Sequence, residues 1–445
     1  MLNKKNYRTK TYLHFDHRVN ITNAESYVTD PLKIARHSFL PLIHYVQSFE
    51  KKVDKKNIKY NNRPVKIKKR DIMYAGHWDN HIYKYYAEML NNKFYNPFCI
   101  DENLNECITA YRNNKPNESN IEFAAEIINQ IVEFKEAFIL VGDFTHYFDK
   151  INHDILKKNL MRVINVNRLS EDWFNVYRSI TKYGYYEKDF IEAKCGTKEF
   201  LKSKGQFSYF KQVKDFRAFQ KENKIKYNKN GYGIPQGTAI SAVFANVYAI
   251  DFDMNMKAIA DWAGGMYRRY SDDFILVIPK KTNSLESFQR IEKKVIALAE
   301  TNKICLQKDK TKIYLYENQK VINLVNKKFD HLDYLGFLFD GKSVRMRGKS
   351  PYKFYRKAKH LIEIAQVKKN KKDLKKLPYR KKIYLLYTDL GTKKKKMNNF
   401  IDYAKKAQMS FDNLSPKTDN LMMQQIKNRK KKIEKMLGVK IHTKV

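Results

Sequence analysis

Two continuous apolar runs along the chain each adjoin acidic residues. The run 274–278 directly follows Asp272 and Asp273, and an apolar run of this length predicts a buried strand. The two aspartates are therefore predicted to lie at the tip of a hairpin. A second run, 137–141, predicts another buried strand, and Asp143 follows it one residue later. This carboxylate is thus expected at the edge of a sheet, where ligands can bind.

Other segments repeat their apolar residues with a helical period. Residues 120–133 carry one apolar stripe, and residues 284–299 carry another, so both predict amphipathic helices. Residues 1 to about 60 also favour helices, whereas residues 159–230 favour short helices and loops. Apolar positions persist through residues 341–445, which predicts a folded helical domain rather than a disordered tail.

Residues 65–74 alternate between apolar and basic side chains, as one strand of a hairpin would. Lys66, Lys68 and Arg70 share one face, because side chains on a strand repeat every second residue. Such a cationic ribbon could hold a triphosphate or a nucleic-acid backbone. A solvated strand face is the alternative.

The charge of the chain narrows the choice of partners. The 445 residues include 88 Lys and Arg against 47 Asp and Glu, for a net charge of +41. Residues 341–445 alone contain 32 basic and 7 acidic residues, a net charge of +25. The high content of Tyr and Phe, 31 and 27 residues, suits stacking on bases. Nucleic acid is therefore the first choice of partner, and an anionic membrane surface is the second.

The four cysteines form no Cys-x-x-Cys pair, which argues against a zinc ribbon and a disulfide framework. No apolar signal region opens the sequence, and no apolar run reaches transmembrane length. These features predict a soluble cytoplasmic protein with no membrane partner.

Adjacent carboxylates such as Asp272 and Asp273 repel each other unless cations lie between them. Magnesium prefers oxygen ligands of this kind and completes its shell with water and phosphate. The pair therefore predicts a metal site for phosphoryl transfer, although Ser-Asp-Asp is also ordinary turn chemistry. Near Asp143, Asp149 or Asn152 could instead serve as a helix N-cap.

A turn, Gly-Ile-Pro-Gln-Gly at 233–237, lies between the two acidic segments and runs into an apolar helix at 238–251. A flexible turn at a helix N-terminus offers N–H groups to an anion or a base. His77 and His81 have helical metal-ligand spacing, but the Glu that a zinc protease needs after the first His is missing.

The order of these segments resembles the palm of reverse transcriptases. Residues 143–149, an Asp followed by an aromatic pair and a second Asp, resemble the first palm motif. Residues 233–246 resemble the second motif, and Tyr-Ser-Asp-Asp at 270–273 resembles the third. Residues 307–311 resemble the fourth, with Lys310 as its lysine.

Two further segments extend the resemblance to residues 60–340. Tyr-Leu-Gly at 334–336 resembles the primer grip, and Lys68-x-Arg70 resembles the basic ribbon of the fingers. Many retroelement enzymes have Ser-Pro where this chain has Ser241-Ala242.

The Ser241-Ala242 variant is similar to the corresponding segment of bacterial abortive-infection and defence-associated reverse transcriptases. The segments Ala-x-His-x-Asp at 75–79 and Ala-Tyr-Arg at 110–112 are also similar to segments of these enzymes. The Asn-Ala-x-x-His and Val-Thr-Gly segments expected of retron enzymes are missing from the sequence. The added maturation and endonuclease segments of group II intron enzymes are also missing. Among the defence families, the compact chain most resembles the type 2 class.

The resemblance implies an α+β fold of the right-hand polymerase type, with a ferredoxin-like palm sheet and a helical basic C-terminal thumb. The implied domains are fingers at 1–135, the first part of the palm at 136–158, an insertion in fingers or palm at 159–232, the second part of the palm with the primer grip at 233–340, and the thumb at 341–445.

It also implies roles for individual residues. Asp143, Asp272 and Asp273 would be catalytic, and together with Phe144 they would bind two Mg²⁺ ions, for which Mn²⁺ could substitute. The residues implied to bind the nucleotide are Lys68, Arg70, Phe148, Gln236 and Lys310. The residues implied to contact primer and template are Tyr270, Gly237, Tyr334, Leu335 and Gly336.

The implied activity is RNA-templated DNA synthesis from a structured noncoding RNA in antiphage defence. The partners would be that RNA, the cDNA product and deoxynucleoside triphosphates, and the oligomeric state stays open. Template-independent or protein-primed DNA synthesis of the abortive-infection kind is an alternative. An intron- or retroelement-type enzyme that binds RNA is another alternative. A membrane-surface protein is a third, but the sequence shows no amphipathic apolar anchor for it.

Overall fold

The computed structural model describes residues 2–52, 65–306, 311–387, 399–438 and 440. The fold is mixed, with helices and three β-sheets. The helices are α1 Ile21–Val28, α2 Pro31–Ala35, α3 His77–Met89, α4 Asn96–Asp101, α5 Asn120–Glu133, α6 Tyr147–Lys150, α7 His153–Ile164, α8 Glu171–Thr181, α9 Lys188–Cys195, α10 Lys198–Ser203, α11 Val213–Glu222, α12 Ala239–Tyr248, α13 Ile250–Trp262, α14 Leu285–Thr301, α15 Lys349–Lys371, α16 Arg380–Tyr387, α17 Phe400–Leu414 and α18 Met422–Leu437. A π-helical turn, Leu90–Tyr95, continues α3, and short 3₁₀ turns cover Lys4–Asn6 and Lys280–Thr282.

The strands are β1 Leu42–Lys52, β2 Val65–Tyr74, β3 Ala137–Asp143, β4 Gly184–Glu187, β5 Lys226–Tyr227, β6 Met266–Tyr270, β7 Asp273–Pro279, β8 Lys312–Glu317, β9 Lys320–Asn323, β10 Lys328–Phe329, β11 Leu332–Tyr334, β12 Phe337–Phe339, β13 Ser343–Met346 and β14 Asp419–Asn420. The chain divides into two compact units that are each discontinuous in sequence. The first comprises Met1–Asn114, Asp143–Ala258 and Lys293–Gln307, and the second comprises Lys115–Gly142, Ile259–Glu292 and Lys308–Val445.

The first unit contains a four-stranded sheet in the order β2-β1-β4-β5. β1 pairs antiparallel with β2, with Ile43 opposite Tyr74, and parallel with β4, with Ile43 opposite Tyr186. The strand predicted at 65–74 is therefore confirmed. The helical expectation for residues 1 to about 60 is wrong over β1, because this segment completes its backbone hydrogen bonds with β2 and with a strand that lies about 140 residues away.

A hydrophobic cluster packs under this sheet in the first unit. Its buried members come from the N-terminal segment, from β1 and β4, and from the segment 188–222, which contains α9, α10 and α11. They are Leu13, Phe15, Ile43, Tyr186, Ile191, Leu201, Tyr209, Phe216 and Phe219. The sequence predicts short helices and loops for the segment 159–230. This segment also supplies two short strands, β4 and β5, to the sheet.

The second unit contains a six-stranded sheet in the order β10-β9-β8-β3-β7-β6. α5 covers one part of it, because Ile121, Ile127 and Ile131 bury their side chains in the same core as Ile139 and Ile275 of the sheet. Ser119 caps α5 as part of a capping box with Glu122, which defines where this helix begins. The helix predicted at 120–133 is confirmed.

The C-terminal part of the second unit combines a small sheet with helices. The sheet has the order β11-β12-β13-β14. α17 contributes Ile401 and Phe411 to the core of the six-stranded sheet, whereas α15, α16 and α18 form a separate cluster around Ile362, Ile383 and Ile433. The helical character predicted for 341–445 is confirmed within the described part of this segment.

The division into fingers, palm, insertion and thumb stays a prediction. The two compact units have other boundaries in the sequence. Among the described residues, no helix is both long and apolar enough to cross a membrane.

Candidate active site

The two aspartates lie at the tip of a tight hairpin, as the sequence predicts. Tyr270 of β6 pairs with Asp273 of β7, which leaves Ser271 and Asp272 as a two-residue turn. Ser271 has a φ of 61°, a left-handed conformation that is uncommon for residues other than glycine. Ser271 is buried, and Asp272 and Asp273 are half-buried, so both carboxylates reach the surface at the tip.

A buried arginine supports this turn. Arg269 is 0% exposed, and its Nη1 donates a hydrogen bond to the carbonyl oxygen of Ser271 at 2.9 Å. Tyr267 is buried on the same face of β6, while Arg268 and Tyr270 are half-buried on the other. The sequence indicates only a basic stretch here. The alternation along β6 is the signal that could have separated the buried arginine from its half-buried neighbour.

β3, the strand that ends at Asp143, lies next to β7 in the sheet. A Cβ atom on Gly142 would lie 2.2 Å from Cε1 of Phe274, so the absence of a side chain at Gly142 makes room for this ring. At the other end of the pair, the backbone N–H of Lys280 donates to the carbonyl oxygen of Glu136 at 3.0 Å. These two contacts define an antiparallel pair. In sequence, Gly142 directly precedes Asp143, and Phe274 directly follows Asp273.

Asp143 itself is 9% exposed. Phe144 follows it, and its buried ring packs against Tyr147 at 4.9 Å and Phe252 at 5.4 Å between centroids. Of Phe144, only the main-chain carbonyl could bind a metal, because its side chain belongs to the core. The helix cap predicted at Asp149 or Asn152 is Asn152, whose side chain accepts from the N–H of Ile155 at 3.1 Å.

Phe148 is half-buried in the short helix α6. Its carbonyl oxygen accepts a hydrogen bond from the N–H of Ile234 at 2.9 Å, and this bond joins α6 to the Pro-Gln-Gly turn. Its ring lies 6.0 Å from that of Tyr147, between centroids. The backbone at Phe148 is therefore fixed independently of the phenyl ring.

The Pro-Gln-Gly turn is also joined to the end of β2. The N–H of Met73 donates to the carbonyl oxygen of Gln236 at 2.9 Å. Gly237 has a φ of 131°, and a Cβ atom there would lie 2.3 Å from the carbonyl oxygen of Met73. Thr238 then caps α12, with its Oγ1 2.7 Å from the Oγ of Ser241. Only glycine fits at position 237, because the backbones of Gly237 and Met73 approach so closely.

The cationic ribbon is formed by β1 and β2. Lys68 pairs with Phe49 and Arg70 with Gln47, and both basic side chains are exposed. The guanidinium carbon of Arg70 lies 5.6 Å from the centroid of the Phe49 ring, which holds the arginine along the strand pair. Lys310 lies outside the described residues.

The Tyr-Leu-Gly segment forms a second tight turn in the second unit. Tyr334 pairs with Phe337, and the two residues between them, Leu335 and Gly336, have φ values of 45° and 95°. The side chain of Asn120 donates to the carbonyl oxygen of Leu335 at 2.9 Å. A further turn at Asp340-Gly341 connects β12 to β13, which pair antiparallel on either side of it.

Tyr334 is a core residue, only 2% exposed. Burial, and next the negative charge of Asp273, raise the pKa of Tyr334 far above its ordinary value. Its hydroxyl has no hydrogen-bond partner within the described ranges. Asp273 can raise this pKa only because its carboxylate lies near Tyr334. The ring of Tyr270 lies 6.2 Å from that of Phe123, between centroids.

No group of three or more His, Cys, Asp or Glu side chains that could hold a metal ion is found in the part of the chain that the structure describes. The histidines at helical spacing have other contacts. The His77 ring stacks on Tyr12 with centroids 4.9 Å apart, and Nε2 of His81 lies 3.0 Å from the carbonyl oxygen of Val19.

No protein-family model and no curated protein matches the chain. Among solved structures, it is similar to telomerase from Candida albicans in complex with the TWJ fragment of telomeric RNA, at 13% identity and a TM-score of 0.41. It is also similar to apo telomerase from Candida tropicalis truncated from its C-terminal domain, at 11% identity and a TM-score of 0.42.

The matches cover 93% and 76% of this chain, and 65% and 64% of the two telomerase chains, respectively. The chain thus spans less than two thirds of the length of either telomerase chain. Similarities at these TM-scores assign neither a fold nor an activity to this chain.

Proposed function

We propose that the chain is an RNA-templated DNA polymerase of the bacterial defence-associated class, resembling the type 2 enzymes, that copies a structured noncoding RNA into cDNA in the cytoplasm. The observation that carries this proposal is the Tyr-Ser-Asp-Asp hairpin, whose β7 strand is the sheet neighbour of the strand that ends at Asp143. The order of the sequence motifs supports it further.

The donor set fits magnesium. Mg²⁺ is usually bound through one or two carboxylates together with water and substrate phosphates, so a dedicated cage of three or more protein ligands is not required. Asp143, Asp272 and Asp273 would supply carboxylates and Phe144 a main-chain carbonyl, with substrate phosphates completing the shell, since the described part of the chain contains no preformed cluster of three such side chains. When bound, two such ions stabilise the charge on the attacking and leaving oxygens of an in-line displacement.

The remaining residues would bind and orient the substrates. Lys68, Arg70 and Lys310 would contact the triphosphate, because cationic side chains stabilise the charge that develops on the transferred phosphoryl group. Gln236 and Gly237 would line the new base pair and the template. Tyr270 and the turn at 334–336 would face the primer, the latter mainly through the backbone of Leu335 and Gly336, because Tyr334 is buried.

Phe148 would contact the sugar of the incoming nucleotide. A bulky ring at this position excludes a 2′-hydroxyl, so deoxynucleotides are the expected substrates. The basic segment 341–445 would bind the phosphates of the product duplex.

The test is incorporation of deoxynucleotides on a primed RNA template by the Asp272→Ala/Asp273→Ala variant. We expect incorporation to fall by about a thousandfold or more, because the proposed metal ligands are lost. A matched control, Asp189→Ala/Glu222→Ala, removes two exposed acidic residues elsewhere and is expected to retain activity. Undiminished incorporation by the first variant would remove the metal assignment.

A further inference from the structure

A cavity of about 420 Å³ lies within the first unit, and none of the three proposed catalytic aspartates lines it. Its walls come from the N-terminal segment 10–13, the end of β2, α9, the start of α10, and Gly237 with Thr238. Its volume lies within the range of pockets that bind small ligands. Most of these segments have no role in the proposed polymerase mechanism.

One wall of the cavity is aromatic. Tyr74 lies between two other tyrosines, with its ring centroid 4.7 Å from that of Tyr12 and 6.0 Å from that of Tyr45. The hydroxyl of Tyr12 donates to the carbonyl oxygen of Ala75 at 2.9 Å, which fixes this ring. All three tyrosines are half-buried, so they keep accessible surface. Fixed, partly accessible aromatic rings are the surfaces on which nucleobases stack.

Lysine side chains from three segments also line the cavity: Lys10 is exposed, and Lys188 and Lys198 are half-buried. The carboxylate of Glu192 also lines it and lies 3.4 Å from Nζ of Lys188. Three cations against one carboxylate leave the lining positive. An anion of the size of a phosphate is therefore the complementary group.

Two further polar side chains line the cavity. Asn80 supplies an amide, which offers both a donor and an acceptor to the edge of a base. Tyr209 is buried, and its hydroxyl is hydrogen-bonded to that of Tyr74, which helps to fix the Tyr74 ring. The lining thus combines aromatic surface, an amide and cations.

We propose that this cavity binds one nucleotide, with its base against Tyr12, Tyr45 and Tyr74 and its phosphate near Lys10 and Lys198. The nucleotide has the same chemistry whether it is free in solution or is one unpaired residue of a single-stranded RNA. The inference goes beyond the proposed polymerase activity and does not require it, because none of the proposed catalytic aspartates lines the cavity. Among the described residues proposed to bind nucleotide, primer or template in that activity, Gly237 alone lines it.

Photolabelling tests this proposal, because the net charge of +41 would make simple affinity measurements insensitive to one site. The two probes are 4-thiouridine triphosphate and a single-stranded RNA heptamer with one internal 4-thiouridine. After irradiation, mass spectrometry maps the crosslinked residues. We expect adducts on peptides that contain Tyr12, Tyr45 or Tyr74, and the probe that forms them identifies the source of the nucleotide.

The variant Lys10→Ala/Lys198→Ala is expected to reduce labelling of these peptides about tenfold. The control Lys194→Ala/Lys202→Ala removes two exposed lysines of α9 and α10 that do not line the cavity, and labelling is expected to persist. Labelling is also expected to persist in the Asp272→Ala/Asp273→Ala protein, which separates this site from the proposed metal site. Adducts found only outside the cavity, or equal loss of labelling in both lysine variants, would overturn the proposal.

Discussion

Gly237 shows how one residue can connect segments that are far apart in sequence. Its φ is 131°, and a Cβ atom at this position would lie only 2.3 Å from the carbonyl oxygen of Met73, so there is no space for a side chain. The neighbouring bond from the N–H of Met73 to the carbonyl oxygen of Gln236 depends on the same close approach. The Pro-Gln-Gly turn and the end of the cationic ribbon are therefore joined through their backbones.

We predict that Gly237→Ala lowers the free energy of unfolding by about 1–3 kcal/mol, because backbone must shift to admit the methyl group. Urea denaturation followed by circular dichroism measures this change. Gly231→Ala is the control, since a Cβ atom there meets nothing within 4 Å and its φ is not left-handed. Equal stability of the two variants would show that the contact with Met73 is not constraining.

Phe148 carries the prediction about sugar selection. Phe148→Ala is expected to raise the use of ribonucleotides relative to deoxynucleotides by about tenfold or more, because the ring that would exclude the 2′-hydroxyl is removed. Competition between the two nucleotide types on a primed RNA template measures this preference. The backbone should stay in place, since the bond from Ile234 to the carbonyl oxygen of Phe148 does not involve the ring.

Phe174→Ala, which removes an exposed ring from α8, serves as the control and should leave the preference unchanged. An unaltered sugar preference in Phe148→Ala protein would remove the selective role from this residue.

At the scale of elements, the local pattern predicted helices better than strand pairing. The helix at 120–133 could be predicted from sequence because its capping residues and its apolar stripe lie within or next to the segment itself. The strand β1 could not be predicted in this way, because pairing with β2 and β4 determines its conformation and β4 lies far along the chain. The tip of the aspartate hairpin was predictable, and the alternation along β6 could also have indicated which of its two arginines is buried.

α5 is also joined to α17 by one carboxylate. Glu122 accepts hydrogen bonds from the backbone N–H of Ser119 at 2.7 Å and from Oγ of Ser410 at 2.8 Å, and it lies 3.0 Å from Nζ of Lys406. Burial acts to raise the pKa of Glu122, but these hydrogen bonds outweigh it and lower the pKa overall. The charged form of Glu122 is therefore stabilised in the folded protein.

We predict that Glu122→Ala lowers the free energy of unfolding by about 2–3 kcal/mol, through loss of the capping box and of charge-assisted hydrogen bonds. Chemical denaturation measures the loss. Glu133→Ala offers a matched control on the same helix, because Glu133 pairs with Lys417 at 2.8 Å but both side chains are exposed. Such surface pairs contribute about 0–1 kcal/mol. A loss for Glu122→Ala no greater than for the control would contradict this account.

At the scale of the whole molecule, charge was predictable from sequence and organisation was not. The counts of residues give the net charge of +41 and its concentration in 341–445. The two compact units, however, are each assembled from three separate stretches of chain, and local sequence patterns do not reveal which stretches combine. The cavity of the first unit was missed for the same reason, because its lining residues range from Lys10 to Thr238.

The charge of the C-terminal segment leads to a prediction about salt. In Lys353→Ala/Lys357→Ala protein, which loses two exposed cations of α15, the slope of log K against log salt for an RNA–DNA duplex should become shallower by about 1–2. Fluorescence anisotropy between 50 and 200 mM salt, roughly the range in which such contacts weaken, measures the slope. Lys293→Ala/Lys294→Ala in α14 is the control, and equal slopes in the two variants would exclude a duplex contact at α15.

The central claim is that carboxylates from two neighbouring strands hold the metal ions of a DNA polymerase. Incorporation of deoxynucleotides on a primed RNA template by Asp143→Asn protein tests it most directly, because this near-isosteric change removes only the negative charge at the end of β3. We predict that incorporation falls by about a hundredfold to a thousandfold while the urea midpoint is preserved. Incorporation within about twofold of the unaltered protein, at preserved stability, would contradict the claim.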